Sequence, residues 1–136
     1  MDENQVIWQE LRTKQNHLDL LDERNRSIRQ QREKQFEDLQ QKRNQLLYMM
    51  EGKYQMMQHY LGQVDVDTTE ERARLNRIAS DFSQAVSMGY TRNQRTLEQR
   101  IENEEIEYRR ERRKLEDDID TLHRKKMKLN QEKRKG

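Results

Sequence analysis

The sequence predicts an all-α protein, a long antiparallel two-helix hairpin with coiled-coil-like packing. Three observations lead there. First, only 30% of the 136 residues are hydrophobic and 40% are charged, against roughly half apolar and about a quarter charged in an ordinary globular domain. A sizeable compact core is therefore excluded. The charges balance, 28 Lys and Arg against 26 Asp and Glu, and the common residues Gln, Glu, Arg, Lys, Leu and Met are good helix formers. Second, apolar residues recur at heptad spacing, which favours long helices over disorder. Third, the chain carries one strong helix-stop, helix-start pair near its middle. With no proline and four glycines, a loop-rich or all-β fold lacks its turn residues.

The first helix is expected over residues 4–61. With Asn4 at a and Ile7 at d, the a sites are Asn4, Leu11, Leu18, Asn25, Arg32, Leu39, Leu46, Lys53 and Tyr60. The d sites are Ile7, Lys14, Leu21, Ile28, Gln35, Lys42, Met49 and Met56. Ten of these seventeen are apolar, and the pattern runs on without a phase break. One uninterrupted helix of this length would extend roughly 85 Å at ~1.5 Å per residue.

The turn is expected at 62–67. Gly62 is a C-cap candidate, and Gln63 to Asp67 has no helical periodicity. Thr68 stands three residues before Glu71, the spacing of a capping box, and Glu70 and Glu71 suit the positive end of a helix dipole. The second helix, about 68–132, begins with Leu75, Ile78, Phe82 and Ala85. A second series, Ile101, Tyr108, Leu115, Leu122 and Leu129, is out of phase with it, and the shift falls at 87–91, where Gly89 predicts a kink or short interruption.

A chain folded back at this turn pairs residues of constant index sum. Ile28 with Ile101, Leu21 with Tyr108 and Ile7 with Leu122 all sum to 129. The two periodicities thus agree on an αα-hairpin, with the register set to about one turn.

Apolar residues crowd the turn. From Leu46 to Leu61 ten of sixteen are apolar. A two-helix hairpin seals only one narrow stripe, and Leu47, Met50, Met57 and Leu61 fall outside the strict first-helix seam. Across the turn stand Phe82, Val86 and Tyr90. These seven are the expected partner-binding residues, and Met49, Met50, Met56 and Met57 suit an adaptable contact surface. Self-association is a second way of covering it, and a wider hairpin end filled by the methionines is the bland alternative.

The second half carries alternating charge blocks: acidic at 98–107, basic at 109–114, acidic at 116–120 and basic at 124–135. Such blocks either set the stagger of a helical partner or form a solvated face with i,i+4 pairs such as Glu105–Arg109. The chain's net charge is +2, and no aromatic residue lies among the last lysines, so neither nucleic acid nor membrane insertion is expected. No apolar run reaches the ~18–20 residues of a membrane span. There is no cysteine. His17, His59 and His123 are far apart, and no HExxH, GxGxxG or phosphate-loop motif occurs. No enzyme, metal site or cofactor is expected. Trp8, the single tryptophan, either caps the open end or anchors a partner.

In length, single hairpin and Gln/Glu/Arg-rich legs, the chain resembles the small helical proteins encoded beside LXG toxins of Gram-positive type VII secretion systems, themselves similar in shape to Trp-Xaa-Gly (ESAT-like) hairpins. The features that carry the resemblance are the uninterrupted first helix through Leu61, the Gly62–Asp67 link and the second helix ending in Arg124–Lys135. The resemblance covers the whole chain and rests on organisation rather than on a motif. Trp8 is followed by Gln9 and Glu10, so there is no Trp-Xaa-Gly turn, and Tyr108 has Arg112 where an export element carries an acidic residue. The resemblance implies a cytoplasmic targeting factor or chaperone that binds the helical N-terminal domain of the toxin, alone or with a second small helical hairpin, and accompanies it to export. A second resemblance, to hairpin chaperones of flagellar and type III export, and a structural coiled-coil spacer are the alternatives.

Overall fold

A computed structural model describes residues 2–135. It contains two helices, α1 (Glu3–Gln63) and α2 (Thr69–Lys135), packed against each other as an antiparallel hairpin, with no strand among the described residues.

Each end of the helices is held by short-range polar groups. At the start of α1 the Asn4 N–H donates to Asp2 Oδ1 at 3.4 Å, and the Val6 N–H donates to the Asp2 carbonyl at 3.1 Å. Asp2 thus acts as the N-cap, satisfying donors that have no partner within the helix. The link between helices is 64–68, two residues later than expected, because α1 continues through Gly62. No described residue has positive φ, so Gly62 closes a helical turn and is not a left-handed cap.

The expected capping box is also replaced. The Thr68 hydroxyl donates to the Leu61 carbonyl of α1 at 3.4 Å. Asp67 Oδ1 instead accepts from the Thr69 N–H at 3.1 Å and the Thr69 hydroxyl at 2.6 Å. The first backbone bond of α2 runs from the Arg72 N–H to the Thr68 carbonyl at 2.9 Å. Thr68 is the one buried polar residue described, as its position between the two helix ends requires. α2 is not interrupted at 87–91. There Thr91 donates its hydroxyl back to the Ser87 carbonyl at 3.0 Å, an i−4 bond that a helix tolerates.

The contacts divide into two units, Met1–Gln31 with Arg100–Gly136, and Arg32–Gln99. The first is the better packed. Its core is Ile7, Leu11 and Leu122, with Ile119 and Leu129 against them. On α1 the covered positions are the heptad sites Asn4, Ile7, Leu11, Lys14, Leu18, Leu21, Asn25 and Ile28, together with Asp22, which lies outside the heptad. Polar contacts cross between the helices at Lys14–Asp118, 3.2 Å, Arg29–Glu105, 2.7 Å, Arg112–Asp22, 3.5 Å, and the Tyr108 hydroxyl donating to Asp22 at 2.6 Å, and Lys133 reaches the N-cap Asp2 at 3.7 Å.

In the second unit the covered face of α1 departs from the heptad. Phe36, Arg43, Met50 and Tyr54 are covered, whereas Gln35, Lys42, Met49, Met56 and Tyr60 are exposed. On α2, Leu75, Ala79, Phe82, Val86 and Tyr90 are covered and Leu97 is buried, while Ile78 and Ala85 are exposed. The reason is geometric. A straight α-helix has 3.6 residues per turn, so a strict seven-residue repeat drifts ~20° per heptad. Extrapolating the register of the first unit into the second therefore misses by one residue.

The register itself is offset by nearly one turn from the expected sum of 129. Asp22–Tyr108 sums to 130, Lys14–Asp118 to 132, Arg43–Tyr90 to 133 and Arg29–Glu105 to 134. The later end of α1 moves the centre of the turn and carries the register with it. Ile7 and Leu122 do share one cluster. Among the described residues only Ile7, Leu11, Leu97 and Leu122 are buried hydrophobics, and none is fully enclosed.

Candidate functional site

Exposed large hydrophobic residues concentrate in the second unit, which contains eight of the thirteen among the described residues. Their placement follows from which residue precedes each covered one. Met50, Met57, Leu61, Ala79 and Val86 point toward the opposite helix, or to its edge. The residues just before them, Met49, Met56, Tyr60, Ile78 and Ala85, lie ~100° back around their helices. In an antiparallel pair, a step back on either helix leads to the same side of the pair. One side of the second unit is therefore apolar, with Met49 48%, Met56 70%, Tyr60 62% and Ile78 60% exposed.

The opposite side is polar. Residues just after the covered ones are Glu51, Gln55, Ser80, Ser83 and Ser87. There the Tyr54 hydroxyl is hydrogen-bonded to Asn76 across the two helices, and the Gln58 amide donates to the Tyr54 hydroxyl at 2.7 Å. The Tyr54 hydrogen bonds thus cross this side near the turn, where Tyr48 is also 80% exposed, and Met49, Met56, Tyr60 and Ile78 remain unpaired on the other.

Between the helices lies a groove of 380 Å³, lined by Leu39, Leu46, Phe82, Val86, Gly89 and Tyr90 among others. Small residues at 85 and 89 leave it open, and a Cβ placed on Gly89 meets nothing within 4 Å. Arg43 also lines it, with its guanidinium 4.3 Å from the centre of the Tyr90 ring, a cation–π contact.

The structure sorts the seven predicted partner residues. Phe82, Val86 and Tyr90 line this groove. Leu47, Met50 and Leu61, expected outside the seam, are half-covered between the helices, for the reason given by the drift. Met57 is 47% exposed at the edge of the pair. Sequence reasoning assigned Met49, Met56, Tyr60 and Ile78 to the seam and so missed them as surface. The signal was present in the adjacent pairs Met49–Met50 and Met56–Met57: one of two neighbours on a helix must face away when its partner faces in.

The first unit is dominated by charge. Asp22 accepts from both Tyr108 and Arg112, and Arg112 also pairs with Glu116 at 3.1 Å. Glu105 bridges Arg29 and Arg109, at 2.7 and 3.4 Å. The hydrogen bond to the Asp22 carboxylate raises the Tyr108 phenol above its ordinary pKa, with desolvation and the negative charge of Asp22 acting in the same direction. Part of each charge block is therefore used within the hairpin, where it fixes register. Trp8 is half exposed, with the Arg12 guanidinium 5.5 Å from its ring centre.

Among the described residues no helix is long and apolar enough to cross a membrane. In comparisons with known proteins, no family model, no curated protein and no solved structure matches the chain.

Proposed function

We propose that the protein is a non-enzymatic helical adaptor, a targeting factor or chaperone that packs against the helical N-terminal domain of an LXG-type toxin before type VII secretion. One observation supports binding most directly: four exposed hydrophobic residues of the second unit, Met49, Met56, Tyr60 and Ile78, gather on one side, beside an open groove, while hydrogen bonds of Tyr54 cross the other. A contiguous apolar strip rimmed by polar residues marks an interaction site, and a helical partner recognises one by i, i+4, i+7 anchors. The toxin assignment comes from the resemblance in organisation described above, and with it a cytoplasmic site of encounter.

Binding would cover apolar stripes on both proteins and build a composite surface for export. Co-expression with the helical domain of a candidate toxin, followed by size-exclusion chromatography, should give one co-eluting complex. The double variant Met56→Glu and Ile78→Glu should abolish it, with helicity by circular dichroism retained, because both side chains are exposed. Failure of every candidate domain to co-elute abandons the toxin reading. Co-elution that survives the double variant moves the binding face elsewhere.

A further inference from the structure

We infer that Met49, Met56, Met57 and Met88 form a peroxide-sensitive modification site, whose conversion to methionine sulfoxide makes the apolar side of the second unit polar and leaves the fold in place. The consequence for binding rests on the reading of that side as a docking face; the chemistry does not.

Five of the seven methionines lie in the second unit, at 49, 50, 56, 57 and 88. Four of them are open to solvent: Met49 48%, Met56 70%, Met57 47% and Met88 57% exposed. Met49 and Met56 belong to the apolar strip, seven residues apart on one face of α1. Met57 stands at the edge of the pair, and Met88 precedes Gly89, which lines the groove. Met50 alone of the five is half-covered between the helices. The buried hydrophobics among the described residues, Ile7, Leu11, Leu97 and Leu122, contain no sulfur. The oxidisable side chains thus sit where an oxidant reaches and a partner would dock, while the best-buried packing is hydrocarbon. Leucine would supply similar apolar area and helix propensity at these four positions without the reactive thioether.

The reaction is a two-electron oxygen transfer. A sulfur lone pair attacks hydrogen peroxide, and an S–O bond forms as the O–O bond breaks. The departing hydroxide takes a proton and leaves as water, so sulfur is oxidised and peroxide is reduced. The product is a polar, chiral side chain with an acceptor oxygen. In the free hairpin water satisfies that oxygen, because the side chains are exposed. Under the apolar face of a partner it is buried without a donor, a penalty that corresponds to at least about tenfold weaker association.

The purified chain tests the chemistry. After treatment with dilute hydrogen peroxide, peptide mapping by mass spectrometry should find one added oxygen at Met49, Met56, Met57 and Met88 before Met50. At that stage helicity at 222 nm should be retained and the melting midpoint should move by less than about 2 °C. Retention on a hydrophobic-interaction column should fall. Methionine sulfoxide reductases of both epimer specificities should restore it. The variant Met49→Leu, Met56→Leu, Met57→Leu and Met88→Leu should keep the untreated retention and lose most of the response to peroxide. Met127, 64% exposed in the first unit, remains in that variant as the internal control for the reagent. With a toxin domain that co-elutes with the untreated chain, oxidation should weaken association at least about tenfold, and the leucine variant should bind with or without peroxide. Oxidation of Met50 as fast as the four, loss of helicity when only the four are modified, or unchanged retention overturns the inference. Undiminished binding by the oxidised wild type overturns it equally. Reversible loss of retention in a chain that binds no toxin domain supports the inference and removes the toxin reading.

Discussion

Leu122→Ala probes the best-packed part of the molecule. Leu122 is 6% exposed and packs with Ile7, Leu11, Ile119 and Leu129. Buried Leu→Ala changes cost about 2–5 kcal/mol, with the higher values where the cavity cannot collapse or flood. Here no residue is fully enclosed, so water reaches the space and the cost lies near the low end, about 2.5 kcal/mol. The melting temperature converts this into a length of chain. With an unfolding entropy of ~2.1 cal/mol/K per residue, the 136-residue chain unfolding as one gives a drop of about 9 °C. If Met1–Gln31 with Arg100–Gly136 melts as a unit of its own, half the entropy is involved and the drop is about 17 °C for that transition. Thermal melts followed at 222 nm measure both the shift and the number of transitions. Tyr48→Ala, at an 80% exposed position, is the control and should shift the midpoint by less than about 2 °C. Equal shifts for the two variants would refute the placement of the core.

Other outcomes follow from single features. Gly52 and Gly89 sit inside helices without positive φ, and an added Cβ meets nothing within 4 Å at either. Gly52→Ala and Gly89→Ala should each stabilise the free chain by about 0.5–1 kcal/mol in denaturant titrations. Tyr108 has its pKa raised by its hydrogen bond to Asp22. Its contribution is complete below the unfolded-state pKa near ~10 and is lost as pH rises through the higher folded value. Tyr108→Phe should therefore narrow the gap between stability at neutral and strongly alkaline pH, read from urea midpoints. Asp67 is shifted the other way, its carboxylate favoured chiefly by the Thr69 hydroxyl, then by the Thr69 N–H and by Arg72. Its contribution is present above ~4 and is lost as pH falls through the lower folded value. Asp67→Ala should lower the melting temperature at pH 7, and the difference from wild type should shrink as pH falls from ~4 through the lowered folded value.

Much of the fold is legible in the chain, because balanced charge, helix-forming residues and one central break admit few alternatives. The details that went astray share a cause. The heptad from Asn4 to Ile28 describes the covered face of the first unit, but continued past Arg32 it selects Gln35, Met49 and Met56, while the molecule covers Phe36, Arg43 and Met50. Arg43 is a side chain no hydrophobic template would choose; it is covered because its guanidinium lies over Tyr90. Leu97, one of four buried hydrophobics among the described residues, belonged to neither apolar series on α2. At the turn, Thr68 had the right spacing for a capping box, yet its hydroxyl serves α1, and the neighbouring Asp67 performs the cap. Local spacing identifies the donors and acceptors available; tertiary proximity decides which of them meet.

The drifting seam also limits how such a hairpin can change in length. Seven residues added to each leg complete slightly less than two turns and rotate everything beyond the insertion by ~20°, eleven overshoot three turns by about as much in the other sense, and only about eighteen close a whole number of turns. Insertions of about eighteen should therefore keep the greasy strip aimed where it was, and insertions of seven or eleven should swing it in opposite senses. Paralogues of unequal size would be expected to differ by the longer step wherever they dock in the same orientation.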